Sequence, residues 1–379
     1  MINRSPVFGL LSTAPPTPCG IATFTTALGS SLLQRGIDVN LVRILDRSEL
    51  GTTAPLRVVS ELLATDPSSI SRSVEALNRC DVAVIQHEYG LYGGRDGADV
   101  LQILRRLRVP TIAILHTVLP SPTPNQRQVL NQVIAQADAV VVMTSAAARL
   151  LRRVNVVGNT SIDVIPHGAA TSSAMATRTL ADSPQFLTWG LIGPGKGIEW
   201  AIDALPRLRD LVPAPQYVIS GRTHPKVFTA SGEAYRTMLE QRVAANGVRD
   251  LVRFDNTYRD LESLHALIAT ADAVILPYDT SDQATSGVLV DAVAAGKPVI
   301  ATSFPHSREL LGGGAGIIVP HRDPAALAGA MRQVVTDQSF TSGMILQAQR
   351  LAPSLSWDSV ADQYIDVAHR YLAFAGVGA

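Results

Sequence analysis

Short, unbroken apolar runs recur through the first half of the chain at 7–12, 39–44, 82–87, 111–116, 139–144 and 162–166. Continuous Val/Ile/Leu runs without polar alternation predict strands buried on both faces, as in a parallel sheet covered by helices. Helix-like segments lie between them at 21–35, 98–107, 126–137 and 146–154. A stretch of small and polar residues at 169–184 lacks periodicity and reads as a linker. The rhythm then restarts, with strands predicted at 186–192, 217–221, 251–255, 273–277, 299–302 and 316–320 and helices over 198–211, 233–245, 261–271, 286–295 and 324–335. A last helix is predicted over 356–374, where Ser356 can cap and Trp357, Val360, Tyr364, Val367 and Tyr371 recur at helical spacing. The pattern is α/β: two doubly wound parallel-sheet domains in tandem.

Composition narrows the picture. The chain has 379 residues, enough for two domains of roughly 150–200 residues. At 46% hydrophobic and 17% charged, each half can fill a core. A formal net charge of zero removes the long-range attraction expected of a general nucleic-acid binder. Cys19 and Cys80 have neither metal-ligand nor redox spacing, so no disulfide framework is expected and a reducing cytoplasm fits. Residues 1–5 do not start a signal peptide, and the most apolar runs are too short to span a bilayer. Arg105, Arg106 and Arg108, like Arg149, Arg152 and Arg153, read as solvated faces, which leaves membrane association peripheral at most.

In open α/β sheets ligands sit beyond the carboxyl ends of the strands, so the residues that follow each strand carry the argument. After the first strand, a proline-stiffened loop delivers Gly20 to the start of a helix, whose free amides suit a phosphate or a developing anion. Two strands of the same half end in histidine, in Gln86-His87-Glu88-Tyr89 and in Leu115-His116-Thr117, and together they predict a polar cleft. His116 is the stronger candidate, because an uncharged run leads directly into it. Pro166-His167-Gly168 is expected to turn the chain towards the linker.

The second half opens with Gly193-Pro-Gly195-Lys196-Gly197 after a strand and before a helix, a plausible phosphate cradle. It matches neither the Walker A nor the dinucleotide fingerprint. Lysine occurs in the chain only as Lys196, Lys226 and Lys297, which makes its presence here informative. The strongest segment runs from Gln283 through Thr285, Ser286, Gly287 and Val288 to Asp291. The amides of Ser286, Gly287 and Val288 predict a second anion site, and Asp291, one turn into the helix, can reach a sugar or ribose diol.

In this order the motifs resemble the retaining GT-B glycosyltransferases, specifically family GT4, over essentially the whole chain, including actinobacterial mannosyltransferases. Ser220-Gly-Arg222-Thr-His224-Pro, Gly232-Glu-Ala-Tyr-Arg236 and Ser356-Trp357 belong to the same resemblance. It implies two Rossmann-like domains, 1–170 plus 356–379 and 183–355, with the last helix crossing back to the first. It further implies an acceptor side built from His87, Glu88, Tyr89 and Thr117 and a donor side built from Gly20, Gly193, Gly195, Lys196, Arg222, Tyr258, Thr285, Ser286, Gly287, Val288 and Asp291. His116, Lys196 and Gln283 take the catalytic roles, with no protein nucleophile and the donor phosphate accepting the proton of the acceptor.

The family's paired glutamates are replaced here by Gln283 and Asp291, and Leu191 stands where many members carry arginine. The donor expected is a nucleotide-sugar, GDP-mannose first and UDP-glucose second. Mg²⁺ is compatible but not required, since no Asp-x-Asp motif occurs. The implied partners are that donor and a carbohydrate acceptor, with no nucleic acid and a homodimer left open. The alternatives are a sugar-nucleotide epimerase and a non-catalytic sugar-nucleotide or glycan-binding protein.

Overall fold

The computed structural model describes residues 5–17, 19–45, 55–63, 66–170, 183–257, 259–280 and 282–375. The chain divides into two compact units, Met1–Gly168 with Trp357–Ala379, and Ala169–Ser356.

The first unit contains β1 (Val7–Ser12), α1 (Gly20–Gln34), β2 (Asp38–Leu45), β3 (Arg57–Leu63), α2 (Pro67–Leu77), β4 (Val82–His87), α3 (Val100–Leu104), β5 (Thr111–Leu115), α4 (Pro124–Gln136), β6 (Ala139–Val142), α5 (Ser145–Val154) and β7 (Ser161–Val164). Its seven strands run in the order β3-β2-β1-β4-β5-β6-β7. All are parallel, which explains why β1, β4, β5 and β6 are unbroken apolar runs: helices cover both faces. The strand order reverses at β1, which has β2 on one side and β4 on the other, so the crevice for a ligand opens between the carboxyl ends of β1 and β4.

The second unit contains β8 (Gln185–Trp189), α6 (Ile198–Ala204), β9 (Gln216–Ser220), α7 (Pro225–Ser231), α8 (Ala234–Ala245), β10 (Val252–Asp255), α9 (Leu261–Thr270), β11 (Ala273–Leu276), α10 (Gly287–Ala294), β12 (Val299–Thr302), α11 (Pro305–Leu311), β13 (Gly316–Val319), α12 (Pro324–Thr336) and α13 (Gln338–Leu355). Its six strands follow the order β10-β9-β8-β11-β12-β13, again parallel, with the reversal between β8 and β11.

The last helix, α14 (Trp357–Ala375), belongs to the first unit. Val360, Ala361, Tyr364, Val367 and Ala368 are buried in the core that also holds Phe24, Leu28 and Leu32 of α1. Arg35, just past α1, donates to Asp358 (2.9 Å) and pairs with Asp362, while Ser31 donates to Asp358 (3.0 Å). Gly168 explains the turn that leads out of β7. A Cβ there would sit 2.3 Å from the Trp357 ring, so only glycine lets the indole lie against the backbone.

β3 and α2 have no counterpart in the pattern reading, nor do α7, α11 and α13. β3 is an edge strand with mostly half-buried side chains, so it lacks a continuous apolar run. α2 reads as polar because serines fill it, yet Asp66 accepts from the Ser68 amide and Pro67 opens the first turn, as a well-capped helix requires. Most of the expected linker, 171–182, lies outside the described residues. No described helix is long and apolar enough to cross a membrane.

Candidate active site

In the first unit the switch-point strands carry the residues picked from sequence. Gly20 is the first residue of α1, exposed, with nothing within 4 Å of where a Cβ would stand. The preceding Cys19 caps the helix without a side-chain hydrogen bond, so the first-turn amides face outward unclaimed by a cap. Beyond β5, His116 is half-buried, and its Nε2 lies 2.6 Å from Oε1 of Gln86. Phe24 meets His116 and His167 edge to face, with ring centroids 5.1 and 5.2 Å apart, and Trp357 closes the cluster at 5.0 Å from Phe24. This apolar packing keeps both imidazoles neutral: burial lowers His116 to about 3 and His167 to about 4.

The residues after β4 separate. Glu88 and Thr117 come together, the hydroxyl donating to the carboxylate, and Glu88 also accepts from the Tyr89 amide at 3.0 Å. His87 does not line an open cleft as expected. It alternates to the face opposite Gln86 and is 1% exposed, with both ring nitrogens unpartnered and burial lowering it to about 4. The Tyr89 ring lies edge-on to it at 5.3 Å. The Tyr89 hydroxyl is buried without a partner and pushed up to about 12, by burial first and the nearby carboxylates second.

In the second unit the loop after β8 is built by glycine. Gly195 and Gly197 take positive φ of 87° and 63°. A Cβ on Gly197 would fall 1.9 Å from the Pro277 carbonyl, so the loop can lie against the end of β11 only with glycine there. The Asp279 amide donates to the Gly195 carbonyl at 2.9 Å, stitching the two loops together. A Cβ on Gly193 would stand 3.1 Å from the Val227 side chain, so the loop also lies close to α7. Thus Gly193, Gly195 and Lys196 share one crevice with the loop that leads to α10.

Lys196 extends over the Tyr278 ring, its Nζ 4.5 Å from the centroid, and among the described residues it makes no ion pair. Tyr278 is itself fixed by stacking on Phe304 at 5.1 Å, and it was not singled out in sequence because that partner is remote along the chain. Arg222 is exposed beyond β9, its carbonyl accepting from the Ile192 amide at 2.8 Å. Tyr258 lies outside the described residues.

At α10 one expectation needs correcting. The Ser286 amide is not free for an anion, because it donates to Nδ1 of buried His306 at 2.8 Å, and Ser286 Oγ accepts from the Leu289 amide. Gly287 and Val288 keep the outward first-turn amides. Gln283 folds back on its own loop, donating from Nε2 to the Thr285 carbonyl at 3.1 Å. Asp291 is half-buried one turn into the helix, and with no compensating partner among the described residues burial raises it to about 7. No cluster of metal-ligating side chains occurs among the described residues. The unit therefore offers a cation, two helix-start amides and a carboxyl, an arrangement suited to a diphosphate with a diol-bearing group attached.

A model of glycosyltransferase family 4 matches residues 18–173, and one of the group 1 glycosyl transferases matches 183–337. The chain is similar to a D-inositol 3-phosphate glycosyltransferase of Geodermatophilus obscurus, 28% identical over 69% of this chain and 61% of that protein. It therefore spans about three-fifths of that relative's length. A phosphatidyl-myo-inositol mannosyltransferase of Mycobacterium leprae is 26% identical over 70% of this chain and 68% of its own. In fold it is similar to Anabaena HepE, solved with UDP and glucose, with a TM-score of 0.76, 17% identity and coverage of 96% of this chain and 99% of that one.

Proposed function

Because the chain belongs to the family 4 glycosyltransferases of GT-B fold, we propose that it transfers a hexose from a nucleotide-sugar to a carbohydrate acceptor with retention of configuration, mannose from GDP-mannose in the first instance. The observation that supports this reading most is the Gly195–Asp279 hydrogen bond at 2.9 Å, which ties the loop carrying Lys196 to the loop that leads to α10. It collects positive potential at the switch point of the second sheet, where a leaving diphosphate gains charge as the sugar–phosphate bond breaks. Lys196 and the Gly287 and Val288 amides stabilise that charge. Asp291 holds the ribose, and Arg222 flanks the base. Gln283 and neutral His116 hydrogen-bond sugar hydroxyls without adding charge beside a ring that is becoming cationic. The Glu88–Thr117 pair, with Tyr89 and His87 behind it, forms the acceptor side. The name of one relative, the phosphatidyl-myo-inositol mannosyltransferase, supports mannose, and no metal is required for these steps. The unpaired Cys19 and Cys80 suit a reducing compartment, and the proposal places the reaction in the cytoplasm.

The test is thermal stabilisation of the protein by GDP, UDP and ADP and their diphospho-sugars, with nucleotide release followed in the same samples. Stabilisation by GDP with release from GDP-mannose is expected. Selective response to UDP-glucose would replace the donor and leave the enzyme class intact. Stabilisation without any release would favour a binding protein. No stabilisation at millimolar nucleotide would overturn the donor site.

A further inference from the structure

One polar side chain at the end of β4 has no part in the chemistry above. Gln86 is fully buried on the face of the sheet that packs against α1. Its carbonyl accepts from the Tyr92 hydroxyl at 2.6 Å, which pins the main chain there. Its amide oxygen meets His116 Nε2 at 2.6 Å, while its amide nitrogen is buried with no partner. An unsatisfied buried amide destabilises the fold, and an apolar side chain of the same size would fill the site without that cost. Packing alone therefore does not account for Gln86, whereas its contact with the imidazole does.

An amide oxygen only accepts, so the ring nitrogen facing it must carry the proton. A neutral imidazole protonated at Nε2 leaves Nδ1 with its lone pair. Nδ1 of His116 has no protein partner among the described residues, and the ring packs against Phe24 with centroids 5.1 Å apart at an interplanar angle of 83°. We propose that Gln86 is a positioning residue that locks His116 in the Nε2-protonated tautomer, so that Nδ1 accepts a hydrogen bond from a sugar hydroxyl. The kinetic part of this inference rests on the sugar-binding role of His116 given above; the tautomer does not. A hydroxyl held by an acceptor keeps its oxygen electron-rich towards the developing positive ring, an orientation the opposite tautomer reverses.

The experiment is ¹⁵N–¹H correlation of the histidine rings in selectively labelled full-length protein, with the His116 signals assigned by their loss in His116→Gln. Steady-state kinetics are run alongside, on the nucleotide-sugar that stabilises the protein. The wild type is expected to show His116 protonated at Nε2 alone. Gln86→Met, close in volume, is expected to give mixed tautomers and a kcat lower by about tenfold to a hundredfold with KM little changed, the usual cost of losing an orienting partner. Gln86→Glu, which keeps an accepting oxygen, restores the tautomer and most of the rate. Protonation of His116 at Nδ1 in the wild type overturns the proposal without needing any variant to fold. So does a Gln86→Met protein with unchanged tautomer. A tautomer change with kcat intact would support the hold of Gln86 on the ring and overturn the sugar-binding role of His116 instead.

Discussion

In the first unit the switch point is finished with side chains: Gln86, His116, Phe24, His167 and Trp357 form a buried cluster in which polar atoms are held by rings. In the second it is finished with backbone. Glycines of positive φ fold one loop onto another, and a single lysine rests on a tyrosine face. The two sheets share a topology at these points, so on the proposed function the difference reflects what each end binds. Neutral, oriented hydrogen-bonding groups suit a sugar, which carries no charge to attract. Free amides and an uncommitted cation suit a diphosphate, which does.

The contrast predicts opposite responses to pH, and this is the largest effect expected. Burial lowers His87 and His167 to about 4 and His116 to about 3 from an ordinary value near 6.5. Unfolding lets these rings take up protons, so the first unit loses stability as the pH falls below about 6.5, by several kcal/mol in total. Asp291 works the other way. Its carboxyl rises to about 7 from an ordinary 3.8, so the folded state holds that proton more tightly. The stability it contributes is full below about 3.8 and is lost as the pH rises towards about 7. Hydrogen exchange, corrected for its intrinsic rates, should show β4 and β5 opening on acidification and α10 opening on alkalinisation, with Asp291→Asn abolishing the second trend. If both regions loosen in the same direction, the contrast is wrong.

Chemistry gives the next effect. Lys196→Ala should lower kcat/KM by about 10²–10³-fold, or about 3–4 kcal/mol, and weaken stabilisation by nucleoside diphosphates more than by nucleosides. Lys196→Arg should recover part of the rate. A loss below tenfold would mean that the amides of α10 suffice without the cation.

How far these features were readable in the sequence follows the same divide. β1, β4 and β12 match their apolar runs end to end, because a strand buried on both faces needs only local hydrophobicity to announce itself. The glycine loop and His116 were readable for a related reason: a strand end followed by unusual residues is a local signal. Gln86, Phe24, Tyr278 and His306 were not, because each acquires its role from a partner far along the chain. Gln86 meets a residue 30 positions away, and Ser286 loses its amide to one 20 positions away. The edge strand β3 and the serine-rich α2 were missed because their stability comes from caps and neighbours more than from their own apolar content.

A backbone-built site should also be brittle where a side-chain-built one is tolerant. Gly197→Ala forces a left-handed residue and a Cβ against the Pro277 carbonyl, at a cost of about 3 kcal/mol. For a unit of this size that is a fall of roughly 6–12 °C in the melting temperature. Gly20→Ala, in open space at the start of α1, should leave melting unchanged within about 0.5 kcal/mol. Equal sensitivity at the two glycines, measured by calorimetry, would remove the distinction between a loop that must be glycine and a helix start that is merely open.

The smallest effect concerns the charged rim of α14. Its docking on α1 is anchored by apolar side chains at the core, Val360, Tyr364 and Val367, with Arg35 bridging Asp358 and Asp362 at the rim. Those carboxylates are largely exposed, so water and salt screen the pair, and Arg35→Ala should cost about 1 kcal/mol or less, shrinking further in high salt. Tyr364→Ala, fully buried, should cost about 3–5 kcal/mol by the same unfolding measurement. If the arginine variant proved the more damaging, α14 would be held to the first unit by its charges, and the side-chain cluster ending at Trp357 would lose the packed floor on which its geometry depends.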